Sequence, residues 1–299
     1  MSQKVIAVAG PTASGKTSLA IDIALKLKTE IINCDSRQLY KELNIGVARP
    51  SVDELNTVKH HFVAEFSIFD PISAGMYAKM ARKTLTEIMS KNGNVVVCGG
   101  TGLYLKALLY GFDHLPHDAE VREEVNKLFS EKGLEGVKTA ISNRDTEALN
   151  PKIIQNPARL KRVLELLIIS PGKKLAELHR NEENPLPYHT QIVCINYKKE
   201  ELYSRINNRV DDMIATGLKD EVFALFPHRH LEILKTVGYQ EYFRHFEGKL
   251  TEFECINLIK QHTRNYAKRQ VTWFKNQTSA EWIEPKQSND GIFAFLNND

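Results

Sequence analysis

The sequence predicts a doubly wound α/β fold: a parallel sheet with helices on both faces, a small helical insertion and a helical C-terminal region. Three observations carry this. Short apolar runs alternate with amphipathic segments of helical period in the first third of the chain, the pattern of β–α–β crossovers. A charged stretch without strand signal follows, from Val121 to about Asn150. Residues 199–275 then read as consecutive helices.

In chain order, "KVIAVAG" is a buried strand and "SGKTSLAIDIALKL" an amphipathic helix. "EIINCD" is a second strand and "HHFVAEF" a weaker third. "AGMYAKMARKTLTEIMSKNG" is a helix that Gly93 ends, and "NVVVCGGTG" is a strong strand entering a glycine-rich turn. "PARLKRVLELLIIS" is a helix stopped by Pro171 and Gly172, and "TQIVCINY" returns to strand. "KEELYSRINNRVDDMIATGL", "LKDEVFALF" and "TEFECINLIKQHTRNYAKRQVTWFK" are helices, with "AEWIE" a last strand. The expected organisation is a core of residues 1–117 and 156–299 around an insertion at 118–155, whose far edge extends to at most about 185.

With 299 residues the chain can bury a full core, and 42% hydrophobic with 26% charged residues is the composition of a soluble globular protein. A net charge of +3 does not by itself imply nucleic-acid binding, so any basic surface must be local. The four cysteines are widely spaced without a CxxC or Cys/His zinc pattern, which favours structural burial. The chain opens directly into a strand, and no apolar run approaches the length of a membrane span; a reducing cytoplasm is expected.

The stretch Gly10, Pro11, Thr12, Ala13, Ser14, Gly15, Lys16 and Thr17 fits GxxxxGK[ST] between a strand and a helix. This makes the fold P-loop NTPase-like. Backbone N–H groups and the helix N-terminus can cradle an anion, Lys16 can reach phosphoryl oxygens, and the Thr17 hydroxyl can hold Mg²⁺. The acid that usually closes a nucleotide site is missing, because the strong strand ends in Cys98, Gly99 and Gly100, and no guanine signature occurs. That favours phosphate bound as a leaving group. Asp35 ends the second strand, on the same sheet edge as the loop. It is a candidate proton acceptor beside Ser36, Arg37 and Gln38, or alternatively a helix N-cap. His60 and His61 are adjacent, point to opposite faces and are read as structural.

The segments "GPTASGKT", "INCDSRQLY", "GVARP", "HH", "GGTGLY", "NPARLKRVLE", "RVDDMIATGL", "VGYQE" and "TRNYAKRQVTWF" occur in the order seen in tRNA dimethylallyltransferases, and the resemblance spans Gly10 to Phe274. It implies transfer of the dimethylallyl group from dimethylallyl diphosphate to the 6-amino group of the adenosine 3′ of the anticodon, in tRNAs reading codons that begin with U. It implies diphosphate on the loop, with Mg²⁺ at Thr17. Asp35 is implied as the base and Arg209 as a diphosphate contact, with less support for Arg205. Read from the residues alone, Arg205 and Arg209 are two arginines one turn apart on an amphipathic helix.

For the anticodon stem-loop, the resemblance implies a pocket lined by Asp35, Ser36, Arg37, Gln38 and Thr101, with Thr101 alternatively a helix cap. Further contacts are implied at Arg122, at Arg159, Leu160, Lys161 and Arg162, and at Lys235, Gly238, Tyr239 and Gln240. A last group is Lys268, Arg269, Gln270, Trp273 and Lys275. On the residues alone, Lys260, Arg264 and Lys268 form a basic stripe interleaved with Tyr266, Trp273 and Phe274, equally readable as a solvated helix face. Gln240 and Val47 depart from the commonest family wording, and no C-terminal Cys/His zinc module occurs, so the chain resembles the short bacterial form. A monomer is expected. The rivals are an ATP-dependent kinase on the same loop, an isopentenyltransferase acting on free adenine nucleotides, and a non-enzymatic RNA-binding switch.

Overall fold

The computed structural model describes residues 3–111, 115–154, 156–178 and 184–285. These fall into two compact units, Met1–Tyr110 with Pro185–Asp299, and Gly111–Asn184. Residues 286–299, assigned to the core on sequence, lie outside the described residues.

The first unit opens with β1 (Lys4–Ala9), buried throughout, and α1 (Lys16–Leu27). There follow β2 (Ile31–Asn33), α2 (Val52–Thr57), β3 (His60–His61), α3 (Ala74–Asn92), β4 (Asn94–Gly99) and α4 (Gly102–Tyr110). The chain then forms α5 (Ala119–Ser142), α6 (Pro151–Ile154), α7 (Pro157–Ile169) and α8 (Leu175–Leu178) of the second unit. It returns as β5 (His189–Ile195), α9 (Lys199–Ala215), α10 (Leu218–Leu225), α11 (Tyr239–Phe246), α12 (Glu252–Gln277) and β6 (Glu281–Ile283).

The strands form one parallel sheet in the order β3-β2-β4-β1-β5-β6. Because successive side chains of a strand point to opposite faces, β1 feeds two cores. Val5, Ala7 and Ala9 join the cluster that includes Tyr77, Leu85, Leu108, Tyr242 and Phe274, while Ile6 and Val8 pack with Ile23 and Ala24 of α1. The sheet is covered on both faces, as the apolar runs predict.

Local differences have local causes. β3 stops after His61 because Phe62 and Ala64 take left-handed φ values of 64° and 54°, and the Phe62 N–H turns to Glu65 Oε1 at 2.6 Å. The short helix α2 was not foreseen, although "SVDE" carries its signal: Ser51 Oγ accepts the Glu54 N–H and Glu54 Oε2 accepts the Ser51 N–H. In the second unit α5 is broken at Gly133 (φ 61°), and α5 and α7 share a core of Val125, Val137, Ile141, Leu160, Leu164 and Leu167. This compact helical unit spans 111–184; its far end lies by the outer edge of about 185 allowed for the insertion at 118–155, because α7 supplies part of its core. All four cysteines are free and buried, and burial pushes Cys98 and Cys194 up to about 12, so both remain neutral thiols. Among the described residues no helix is long and apolar enough to cross a membrane.

Candidate active site

The loop between β1 and α1 is shaped by left-handed residues, Gly10 (φ 125°), Ala13 (φ 63°) and Gly15 (φ 85°). Gly15 caps α1, whose first turn carries no acidic residue, so no acid of the helix itself offsets its positive end; Glu54 of α2 lines the space beside it. Lys16 Nζ donates to the Pro11 carbonyl at 2.9 Å. Burial lowers its pKa from the ordinary lysine value, with the charge of Asp35 pulling the other way. Ser14 is fully buried, and its Oγ has no hydrogen-bond partner among the described residues. A buried hydroxyl without a partner is costly, and this one belongs to the loop itself.

Two cations reach the loop from α9. Arg205 Nε donates to the Ala13 carbonyl at 2.8 Å, and its guanidinium lies 4.8 Å from the centroid of the Tyr197 ring. Arg209 Nη1 donates to Thr12 Oγ1 at 3.5 Å, and burial, then Arg205, lower its pKa. Their spacing of one turn is what lets both meet one loop. Arg205 was the weaker expectation on sequence, yet it makes the shorter bond.

Asp35 stands at the carboxyl edge, just past β2. Its Oδ1 accepts the Arg37 N–H at 2.9 Å, closing a turn; no helix follows, so the helix-cap alternative is set aside. Neighbouring bonds lock this turn to the one after β4. Cys34 N–H donates to the Cys98 carbonyl at 2.7 Å, and Ser36 N–H to Thr101 Oγ1 at 3.0 Å. Thr101 therefore uses its hydroxyl to join two loops. The approach is so close that a β-carbon on Gly99 would lie 2.2 Å from the Cys34 backbone. Gln38 Nε2 donates to the Val47 and Ala48 carbonyls at 3.2 and 2.9 Å, folding the 45–50 loop over the same space.

These loops surround one cavity of about 510 Å³, although Gly10, Pro11, Ala13, Ser14, Gly15 and Arg205 are not among its lining residues. It brings together Thr12, Lys16, Thr17, Asp35, Ser36, Arg37, Gln38, Thr101 and Arg209, and also Lys235, Gly238, Gln240, Arg269 and Gln270. Tyr266 of α12 lines it too. Burial, then the charge of Asp35, pushes its hydroxyl up to about 12, so it is a neutral donor at working pH. The signal for Tyr266 was there: Ile259, Thr263, Tyr266 and Gln270 recur at helical spacing on one face of α12.

Several expected RNA contacts are placed otherwise. Tyr239 is fully buried, and its hydroxyl donates to Glu221 Oε1 at 2.6 Å, so its ring is core. Glu221 also accepts the Ile45 and Gly46 N–H groups at 2.7 and 3.0 Å, and sequence reasoning missed it. The basic stripe is not continuous. Lys260 pairs with Asp211 at 2.6 Å and Arg264 donates to Asn207 at 2.7 Å, both on α9. Lys268, Arg269 and Lys275 are exposed, Lys275 lying over the Trp282 ring. Trp273 lies against α4, where a β-carbon on Gly102 would come within 2.2 Å of its ring. Gln270 is buried.

The remaining expected contacts lie in the second unit. Leu160 is fully buried in that unit's core, so its side chain is unavailable to a partner. Arg122 and Arg162 both pair with the buried Glu165, at 3.5 and 3.0 Å. Lys161 donates to Asn126 at 2.8 Å, and Arg159 is exposed in the first turn of α7. His60 and His61 bind Val58 O and Glu30 Oε2, at 2.8 and 2.5 Å.

Residues 38–277 match the family described as IPP transferase. A tRNA dimethylallyltransferase of Flavobacterium johnsoniae is 40% identical over 98% of this chain and 96% of its own length. One of Chlorobium chlorochromatii is 42% identical over 96% of this chain and 94% of its own. Among solved structures, the tRNA delta(2)-isopentenylpyrophosphate transferase of Staphylococcus epidermidis superposes with a TM-score of 0.70 at 30% identity, covering 98% of this chain and 97% of that one.

Proposed function

The chain belongs to the IPP transferase family, and on that premise we propose that it prenylates the 6-amino group of the adenosine 3′ of the anticodon in tRNAs reading codons that begin with U. It is a transferase of dimethylallyl groups to tRNA. The single observation that carries the finer reading is one cavity holding both an anion cradle and Asp35.

The adenine 6-amino group is a weak nucleophile because its lone pair is delocalised into the ring. As its nitrogen bonds to the allylic carbon, the bond from that carbon to the diphosphate oxygen breaks. The amine proton passes to Asp35, and diphosphate leaves with the bonding pair. Loop amides, Lys16 and Arg209 meet the charge that develops on the leaving group, and such contacts are typically worth about 3 kcal/mol each. The residues fit a diphosphate: a helix N-terminus with no acid in its first turn, and the half-buried cations Lys16 and Arg209 on the cavity wall. They also fit Mg²⁺, which takes few protein oxygens when phosphate supplies others; Thr17 would hold it, and it would neutralise leaving-group charge. Tyr266 offers a ring and a hydroxyl to an adenine drawn from its stack.

The anticodon stem-loop is the RNA partner in this reading, and the protein acts as a monomer in the cytoplasm. Lys268 and Arg269 are the exposed cations of α12 next to the cavity wall. Replacing both with alanine is expected to weaken tRNA binding and flatten the plot of log affinity against log salt by roughly 1–2. An unchanged slope in filter binding across a salt series would remove this helix from the interface. The function itself is tested by incubating protein, unmodified tRNA, dimethylallyl diphosphate and Mg²⁺, with ATP in a parallel tube, followed by nucleoside analysis. Prenylated adenosine in the first tube is expected; phosphorylated product in the second, without prenylation, would establish the kinase instead.

A further inference from the structure

Gln270 stands at the junction of three segments. It lies on the inner face of α12, is 6% exposed, and spends its amide in both directions. Oε1 accepts the Thr12 N–H at 2.9 Å, and Nε2 donates to the Gly100 carbonyl at 2.8 Å. Thr12 belongs to the phosphate loop and Gly100 to the turn after β4. The two backbone partners, one donor and one acceptor, fix which end of the amide faces which. An ammonium, a carboxylate or an apolar group here would leave at least one of them unpaired. The clearance is also tight, since a β-carbon on Gly100 would stand 2.5 Å from Nε2.

The residues joined in this way are those the transfer uses. Thr12 receives Arg209 on its hydroxyl, and the turn after β4 carries Thr101, which binds the Asp35 turn through Ser36. A slack clamp would therefore let the anion cradle drift relative to Asp35. Small displacements of this kind are costly where two reactants must meet in line.

We propose that Gln270 is a positioning residue for the transfer: it holds the phosphate loop against the glycine turn and acts on the isoprenoid diphosphate, not on the RNA. The proposal rests on the reading of the loop as a diphosphate site. It divides α12 by face. The exposed side meets RNA through Lys268 and Arg269, while the buried side sets the loop.

Gln270→Met keeps the chain length and removes both hydrogen bonds. KM for dimethylallyl diphosphate, KM for tRNA and kcat are measured for the wild type and the variant. Melting temperature is recorded with and without inorganic pyrophosphate and Mg²⁺. The expected result is a fall of about 10- to 100-fold in kcat/KM for dimethylallyl diphosphate, the scale set by unpaired buried backbone groups, with KM for tRNA changed less than about twofold. The stabilisation by pyrophosphate shrinks in parallel. Gly100→Ala presses on Nε2 from the opposite side and is expected to act in the same direction, which keeps the test alive if the methionine variant does not fold. A raised KM for tRNA with the isoprenoid constants unchanged would make Gln270 an RNA contact and overturn the proposal. A lower melting temperature with every kinetic constant intact would overturn it too. A wild-type protein that binds pyrophosphate but makes no prenylated adenosine would instead bring down the parent reading, while the pyrophosphate arm still judges the clamp.

Discussion

Asp35→Ala is expected to lower the maximal rate of prenyl transfer by ~10²–10⁴-fold, the usual share of a positioned proton acceptor, with little change in tRNA affinity. One oxygen of Asp35 is committed to the Arg37 N–H, so alanine removes a turn contact as well as a base. Asparagine separates the two roles. Asp35→Asn keeps an oxygen for Arg37 but cannot accept the amine proton, and it should be nearly as slow as alanine. Single-turnover rates of both variants, beside tRNA dissociation constants, check this. Near-normal turnover by the asparagine variant would leave Asp35 a turn former only. Weak tRNA binding with a normal maximal rate would make it an RNA contact.

What was legible beforehand follows a physical line. The phosphate loop announces itself because its glycines, lysine and threonine are consecutive, and β1, α1, α3 and β4 because apolar period is a local property. Asp35 was legible as a position on the carboxyl edge, since a parallel sheet puts all strand ends of one sense on one side. Its hydrogen bond was not, because a turn and a helix cap begin alike. The basic stripe is ambiguous for a related reason. Period places Lys260, Arg264 and Lys268 on one side of a helix, but only the neighbouring α9 decides that the first two meet Asp211 and Asn207. Leu160 came with its basic neighbours in one motif, yet its apolar side chain belongs inside α7's own core. The clamp of Gln270 joins residues 258 and 170 positions apart in sequence, and no local pattern reports such a bond.

The second large effect falls on Lys16. Lys16→Met keeps most of the side-chain volume and removes the charge, and it is expected to reduce kcat by ~10²–10³-fold, the scale of one lost contact to a developing anion. Melting temperature is expected to change little, because the variant loses a desolvated charge and the bond to the Pro11 carbonyl together. That control separates lost chemistry from unfolding. The pH profile gives an independent sign. Burial lowers the Lys16 pKa, so the charged form that the leaving group needs is lost at a lower pH than for an ordinary lysine. The kcat/KM profile for dimethylallyl diphosphate reports the free enzyme. Its alkaline limb should therefore begin below the ordinary lysine range in the wild type and be absent from the methionine variant. Were the variant to keep the same limb, another group would be titrating. Were it to keep the full rate, the loop would be holding something whose charge does not change as the reaction proceeds, and the leaving group would have to sit elsewhere.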